Sequence, residues 1–328
     1  MSFKITINGQ VKTFDQPVSV LDLLADDHNF YCALVNNRVR ELTYSITQDA
    51  TVEPLTLVHS ESVRIYQTSL RYLVAMAMSR IRPDVKIRFS YNVSRSIFIQ
   101  ILNEGVRADR ELVHELEQEM TRLIEKDIPL VRSKITVEEA AKLYKERGFD
   151  DKLEVLKYRP EQTVHMYECD GYLNYMYGFM VPSTGYLKNW ILKPYSPGML
   201  LQYPRSESKG QIPEFKDAPT FGKTLKQSHA WAKKAGLESV TGINKYIEQG
   251  HSIDLINICE ARHYQQLTEL GSKIIDESDI RLICIAGPSS SGKTTFANRL
   301  RIELMSRGLR PIRLSIDDYY LPRGQAPK

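Results

Sequence analysis

Cysteine is scarce: Cys32, Cys169, Cys259 and Cys284 are scattered through 328 residues and form no CxxC pair. That spacing excludes a disulfide framework and a zinc ribbon, and points to a reduced, cytoplasmic setting. Long apolar runs are missing as well. No stretch approaches the ~18 uninterrupted apolar residues of a membrane span, and the N-terminus lacks the basic-then-apolar plan of a leader peptide. No membrane partner is expected. Neither sign of charge dominates: 44 Lys and Arg stand against 40 Asp and Glu, and a net charge of +4 is too mild to announce a nucleic-acid binder. Internal repeats and low-complexity tracts are absent.

What is present fits a soluble chain able to bury real cores, with 42% hydrophobic and 26% charged residues. At about 150 residues per domain, the length suggests two or three domains. Charge is unevenly spread. Residues 1–62 hold four basic and eight acidic side chains, whereas Ser183 to Lys234 holds nine basic and three acidic.

The first 62 residues predict a small mixed domain of β-grasp type. Phe3 to Ile7 and Val11 to Phe14 flank Asn8-Gly9, the dipeptide suited to a type I′ hairpin. Ser19 with Asp22 forms an N-cap signal for a helix from Val20 to Ala25. A second hairpin is predicted through Asn36-Asn37, and Leu55 to Val58 supplies a last strand. Residues 63–222 predict an α+β unit. Its first helix carries Tyr66, Leu70, Leu73, Val74, Ala77, Met78 and Ile81 and stops before Pro83. Strands are predicted at Lys86 to Phe89 and Ile97 to Leu102. A second helix follows Asp109, and a third opens with the Thr136/Glu139 capping box and ends at Gly148. Further strands are predicted at Thr163 to Cys169 and Tyr172 to Val181. Five prolines between Pro194 and Pro219 predict an ordered, extended crossing without helix. A helical connector, 223–279, carries Ile256, Cys259, His263, Leu267, Leu270 and Ile274 on one face. From residue 280 to 328 the pattern becomes βαβ, the start of a parallel sheet: a strand at Leu282 to Ala286, a helix at Thr294 to Ser306, and a strand at Pro311 to Ile316.

The chemistry-bearing motif is Gly287-Pro-Ser-Ser-Ser-Gly292-Lys293-Thr294, a GxxxxGK[ST] phosphate-binding loop between a predicted strand and helix. Gly287 and Gly292 let the loop bend, and the amides of Ser289, Ser290, Ser291 and Thr295 point inward with the helix N-terminus behind them. Lys293 is expected to neutralise the phosphates of ATP, and Thr294 to hold Mg²⁺. Parallel strand pairing would deliver Asp317 beside this loop, where a carboxylate can accept a proton from a substrate hydroxyl.

GPSSSGKTT followed by SIDDYY resembles the uridine kinase/phosphoribulokinase branch of P-loop kinases. The resemblance implies Asp317 as catalytic base with Lys293, Tyr320 at the nucleoside site, and an ATP-dependent uridine/cytidine-like kinase taking a nucleoside substrate. Residues 1–62 resemble the TGS domain, and 63–222 resembles the second additional, tRNA-editing domain of threonyl-tRNA synthetases. That editing domain uses an HxxxH and a CxxxH pair, whose positions here are Thr68 and Tyr72, and Met176 and Met180. Thioether and phenol cannot replace imidazole and thiolate as bases or zinc ligands, so neither editing activity nor a zinc site is expected. The pairs His165/Cys169 and Cys259/His263 lack further ligands nearby and are expected to be ordinary packing. Because 280–328 is short for a complete α/β domain, the kinase unit is expected to be truncated at its C-terminus, and inactive or weak.

Two other readings stand beside the kinase. One is an RNA- or tRNA-binding regulatory module with a vestigial or sensing nucleotide loop. Its RNA surface would be 183–234, where lysines alternate with Tyr186, Trp190, Tyr195, Tyr203, Phe221 and Trp231. On sequence alone the favoured reading of the same segment is a solvated face over a proline-rich core. The other is a TGS-linked GTPase.

Overall fold

Asn8 and Gly9 both adopt positive φ, +50° and +77°, and so close the first hairpin of the computed structural model. The structure describes residues 2–103, 105–277, 279–321 and 324–325. It divides into two compact units, Met1–Trp231 and Ala232–Lys328.

In the first unit, β1 (Phe3–Ile7) pairs antiparallel with β2 (Gln10–Phe14). The two-residue β3 (Val18–Ser19) leads into α1 (Val20–Leu23), where the Ser19 hydroxyl caps the Asp22 amide at 3.0 Å. Next come β4 (Cys32–Val35), β5 (Arg38–Arg40), β6 (Ser45–Ile46) and β7 (Ala50–Leu55). The sheet order is β2-β1-β7-β4-β5, with β1 and β7 parallel and β3 paired separately with β6. The expected strand at Leu55 to Val58 is thus displaced: β7 ends at Leu55. Pro54 is tolerated because β1 pairs only with residues 50–52 of β7, leaving one edge free at Pro54.

Helix α2 (Ser60–Ile81) begins inside the first expected boundary and ends before Pro83. Ile65, Tyr66, Leu70, Tyr72, Leu73, Val74, Met76, Ala77 and Met78 are all buried on it, more than one amphipathic stripe provides. A bulged hairpin of β8 (Ile87–Val93) and β9 (Ser96–Ile101) follows. Helix α3 (Arg110–Glu125) is capped by Asp109, whose carboxylate accepts the Leu112 amide at 2.9 Å. Leu112, Leu116, Met120 and Leu123 recur at i, i+4, i+8 and i+11 and join the core that holds α2.

The alternation of Val131, Ser133 and Ile135 with Arg132 and Lys134 forms β10 (Val131–Thr136), a strand missing from the predicted elements. The Thr136/Glu139 capping box then opens α4 (Val137–Glu146), followed by the short α5 (Asp150–Leu156). Strands β11 (Thr163–Cys169) and β12 (Tyr172–Tyr175) complete an antiparallel sheet β10-β11-β12, and Val164 and Met166 pack against Ala140 and Tyr144 of α4. The predicted strand to Val181 therefore stops six residues early.

The proline-rich crossing is corrected in part. It begins with a hairpin, β13 (Ile191–Tyr195) and β14 (Gly198–Gln202), in the sheet β13-β14-β9-β8. Pro194 is accommodated because β13 is the edge strand. Gly198 is required there, since a Cβ would lie 2.1 Å from the Ile99 carbonyl oxygen. Residues from Phe3 to Tyr203 contribute to one continuous core. Helix α6 (Pro219–Lys234) spans the expected 222/223 boundary.

The second unit contains α7 (Val240–Glu248), α8 (Ser252–Asp276) and α9 (Lys293–Ser306). The expected βαβ unit is not formed. Neither Leu282–Ala286 nor Pro311–Ile316 is a strand, and Leu282, Ile312 and Leu314 are 79%, 87% and 73% exposed. Two parallel strands alone bury neither sheet face, so nothing compensates for ordering them. A single 3₁₀ turn, Ile316–Tyr319, replaces the end of the second strand. Lys328, where the expected kinase segment stops, lies outside the described residues. None of the described helices is long and apolar enough to cross a membrane.

Leu116, fully buried in the shared core, should be sensitive to truncation: Leu116→Ala is expected to cost about 2–5 kcal/mol. Urea unfolding followed by tryptophan fluorescence reads this in the first unit alone, because both tryptophans, Trp190 and Trp231, lie there.

Candidate functional site

The phosphate-loop residues fold as a turn ahead of α9. Ser290 and Gly292 take positive φ, +60° and +82°, and Gly292 is the helix N-cap. A Cβ on Gly287 would lie 2.8 Å from the Ser291 hydroxyl, which would have to turn aside. The Lys293 ammonium donates to the Pro288 carbonyl at 2.7 Å, arching back over the turn. Gly287, Ser289, Ser290, Ser291 and Gly292 are exposed, as are Thr294 and Thr295 in the first turn of α9. The glycine turn ahead of α9 is formed; the parallel strands expected on either side of it are not, among the described residues.

Packing on α8 holds α9 instead. Leu300 and Leu304 bury against Leu267, with Leu270, Ile274, Ile285 and Phe296 around them. Arg299 donates to Glu260 at 2.8 Å and contacts His263 Nδ1 at 2.8 Å. This bond to Arg299 holds the Glu260 carboxyl below its ordinary range. Arg307 reaches the Thr268 carbonyl at 3.0 Å and the Ser272 hydroxyl at 3.1 Å. The expected apolar seam of α8 is therefore shorter than its periodicity implied. Ile256 and Cys259 are exposed, and His263 serves as a partner for Arg299.

Asp317 is exposed in the 3₁₀ turn, and Tyr320, 74% exposed, follows it. Among the described residues no hydrogen bond or ion pair joins Asp317 to Lys293 or Thr294. The strand pairing that would bring them to one sheet edge is absent, so the geometric basis for a base beside the loop is lost.

In the first unit, the positions resembling the editing pairs are built into the core. Tyr72 is 1% exposed; its hydroxyl donates to the Tyr172 carbonyl at 2.5 Å, with the Tyr167 carbonyl 3.1 Å away. Burial drives its pKa far up, so it is no base. Thr68 turns back to the Arg64 carbonyl at 2.9 Å, Met180 is buried, and Met176 packs against the same core. His165 and Cys169 lie on one face of β11 but in different surroundings. Cys169 is fully buried, its thiol pushed up to about 12 first by burial and then by Glu168. His165 is half-buried and its pKa is lowered, by burial first and then by Arg132, Lys134 and Arg159. Among the described residues no group of three or more His, Cys, Asp or Glu could hold a metal ion.

The basic segment divides by side chain. Lys188, Lys193, Lys223 and Lys226 are exposed, and Lys188, Lys193 and Lys226 make no ion pair among the described residues. The aromatics are less available than their spacing implied. Tyr186 and Tyr203 are core residues, Tyr186 donating to Asp26 at 2.7 Å and Tyr203 accepting from Arg205 at 2.6 Å. Phe221 is exposed, and Trp190 lines a groove of about 450 Å³ with Lys188, His28 and Glu125. Asp127, at φ +45°, anchors this region by accepting the Gly185 amide at 2.9 Å and the Ser183 hydroxyl. A Cβ on Gly185 would sit 2.2 Å from the Asp127 carboxylate, a constraint that no local sequence signal reveals.

No protein-family model matches the chain. It is similar to threonine–tRNA ligases. The protein of that name from Listeria monocytogenes serotype 4a is 31% identical over 189 residues, 56% of this chain and 29% of the relative. Threonine–tRNA ligase 1 of Bacillus subtilis is 30% identical over 217 residues, covering 64% and 33% respectively. The ligase of Syntrophomonas wolfei is 26% identical over 187 residues, 55% of this chain and 29% of that one. The chain thus spans about a third of the length of the curated relatives it matches. These findings overturn the kinase assignment. The relatives are named as ligases acting with tRNA, so the uridine kinase/phosphoribulokinase resemblance, the phosphotransferase activity and the nucleoside substrate are withdrawn. Similarity over 189 residues outweighs an eight-residue loop motif.

Two outcomes follow from this geometry. Under native conditions Cys259 and Cys284, both exposed, should react rapidly with a thiol reagent, while Cys32 and Cys169 stay protected until unfolding. The Cys32 thiol, pushed up to about 11 mainly by burial, reinforces that protection. A deacylation assay on mischarged threonine tRNA should give no turnover, because Tyr72 and Met180 fill positions where the resemblance requires imidazoles.

Proposed function

We propose that this chain is an RNA-binding regulatory module of the threonyl-tRNA synthetase type, engaging tRNA without editing it and carrying a nucleotide-sensing loop. The observation that carries the reading is the similarity to threonine–tRNA ligases over 189 residues. The sheet order β2-β1-β7-β4-β5, with the first and last strands of the segment parallel in its middle, supports a TGS-type domain at 1–62. The sheets and helices of 63–222 support an editing-type domain from which the catalytic side chains are gone.

Lys188, Lys193 and Lys226 are the cations best suited to RNA phosphates, being exposed and unpaired among the described residues. Trp190 beside Lys188 offers a stacking face. At the loop, Lys293, Thr294 and the amides of 289–295 would hold the phosphates of ATP with its Mg²⁺, and α9 would add the positive end of its dipole. The bound nucleotide would supply charge and order to this turn. Asp317 and Tyr320 have no part in this reading.

Fluorescence anisotropy with labelled tRNA tests the RNA half. The triple variant Lys188→Ala, Lys193→Ala, Lys226→Ala should lower the slope of log K against log salt by about 2–3. Unchanged affinity and slope would remove the surface from consideration. For the loop, Lys293→Ala should weaken MgATP binding about tenfold, the loss of one charge-assisted contact, in a direct binding titration. Equal binding by both proteins would reject it.

A further inference from the structure

A cleft of about 760 Å³ opens over β10 and β11 in the first unit, with Asp26, Glu41 and Asp127 among its walls. Each of these carboxylates already has an internal donor. Asp26 accepts from Tyr186 at 2.7 Å, Glu41 from Tyr167 at 2.9 Å and Arg132 at 3.3 Å, and Asp127 from the Gly185 amide at 2.9 Å.

The opposite wall is different. The antiparallel register sets Lys134 directly across from His165 and Arg132 across from Tyr167, so all four side chains share one face. Lys134 has no ion pair or side-chain hydrogen bond among the described residues, and the His165 ring has no hydrogen-bond partner there. Arg132 spends one nitrogen on Glu41 and lays its guanidinium over Phe179, 5.4 Å from the ring centre, leaving other N–H donors unused. Around His165 stand Arg132 and Lys134 from β10 and Arg159 from the preceding loop, opposed by Glu41, and Asp26 and Asp127 line the same cleft. Lys134 and Arg132 offer only donors to the cleft, and the His165 ring offers one N–H while neutral and two once protonated. Lys134 and Arg132 bring positive charge to this face, and protonation of His165 opposite Lys134 is unfavourable until an anion comes between them.

We propose that this cleft binds a phosphoryl group, with Lys134 and His165 as its first contacts and Arg132 completing a three-sided donor set. A tetrahedral anion can accept from three directions at once, and the cleft is roomy enough for an ester carried on that phosphate. The site deepens the RNA-binding reading and rests on it only for the source of the phosphate, which is either an RNA backbone or terminus, or a free phosphate or mononucleotide.

The test follows the His165 ring signal by NMR in the full chain, assigned by loss in His165→Gln. Inorganic phosphate, a 5′-mononucleotide and a short RNA are titrated in turn. Bound phosphate should move the signal saturably and raise the His165 pKa, so affinity should rise as pH falls through it. Lys134→Ala should weaken binding at least about tenfold, or 1.4 kcal/mol. The pair Lys188→Ala, Lys193→Ala should leave the effect intact. Tighter binding of RNA than of mononucleotide assigns the phosphate to RNA; equal binding assigns it to a small ligand. A saturable response to phosphate in a chain with no affinity for tRNA would uphold the cleft while rejecting the RNA reading. No response to any of the three ligands, or an equal response in Lys134→Ala, would overturn the proposal.

Discussion

Helix α2 is enclosed on nearly every side, and three of the polar side chains it carries find partners inside the core. Tyr66 donates to the Asn189 carbonyl at 2.7 Å and accepts its amide at 2.9 Å. Ser69 donates to the Ile65 carbonyl at 2.8 Å and accepts the Val181 amide at 2.9 Å. Tyr72 reaches the carbonyls of Tyr167 and Tyr172. These bonds bind one helix to a chain segment about a hundred residues away. Leaving such buried groups unpaired costs about 1–3 kcal/mol each, so the segment from β11 to β13 is positioned largely by side chains of α2. The cleft over β10 and β11, and the groove beside Lys188, inherit their geometry from that clamp.

The same clamp runs through the positions that resemble the editing pairs. Positions that would carry solvated, titrating groups are occupied by a phenol and thioethers that improve burial. Two acidic residues of the first 62 act as fasteners to later segments: Asp26 accepts from Tyr186, and Glu41 from Tyr167 and Arg132.

Much of the local architecture was legible from residues alone, wherever a few neighbours decide the backbone. Asn8-Gly9, Asp109 and the Thr136/Glu139 box act within a single turn, and each does what its chemistry requires. The hairpin of β13 and β14 was hidden because proline reads as a strand breaker unless the strand is known to lie at an edge, which is a tertiary fact. Strand β10 was overlooked although its period-two alternation was present. The Asp127–Gly185 contact spans 58 residues and has no local signature. The largest discrepancy, at 282–286 and 311–316, arises because an apolar run reports a need for burial, and only a partner can meet it. The turn of the phosphate loop was readable, since glycine geometry is local. Its meaning was not, because similarity over 189 residues outweighs one motif.

Those two unpaired runs also bear on how the protein behaves at high concentration. Leu282–Ala286 and Pro311–Ile316 are short, β-prone segments with open backbone donors and acceptors, and such segments are templates for edge-to-edge pairing between molecules. Arg281, Arg310 and Arg313 stand at or beside them, where charge opposes stacking of like chains. Colloidal stability of the second unit is accordingly an electrostatic property: salt that screens these arginines favours self-association.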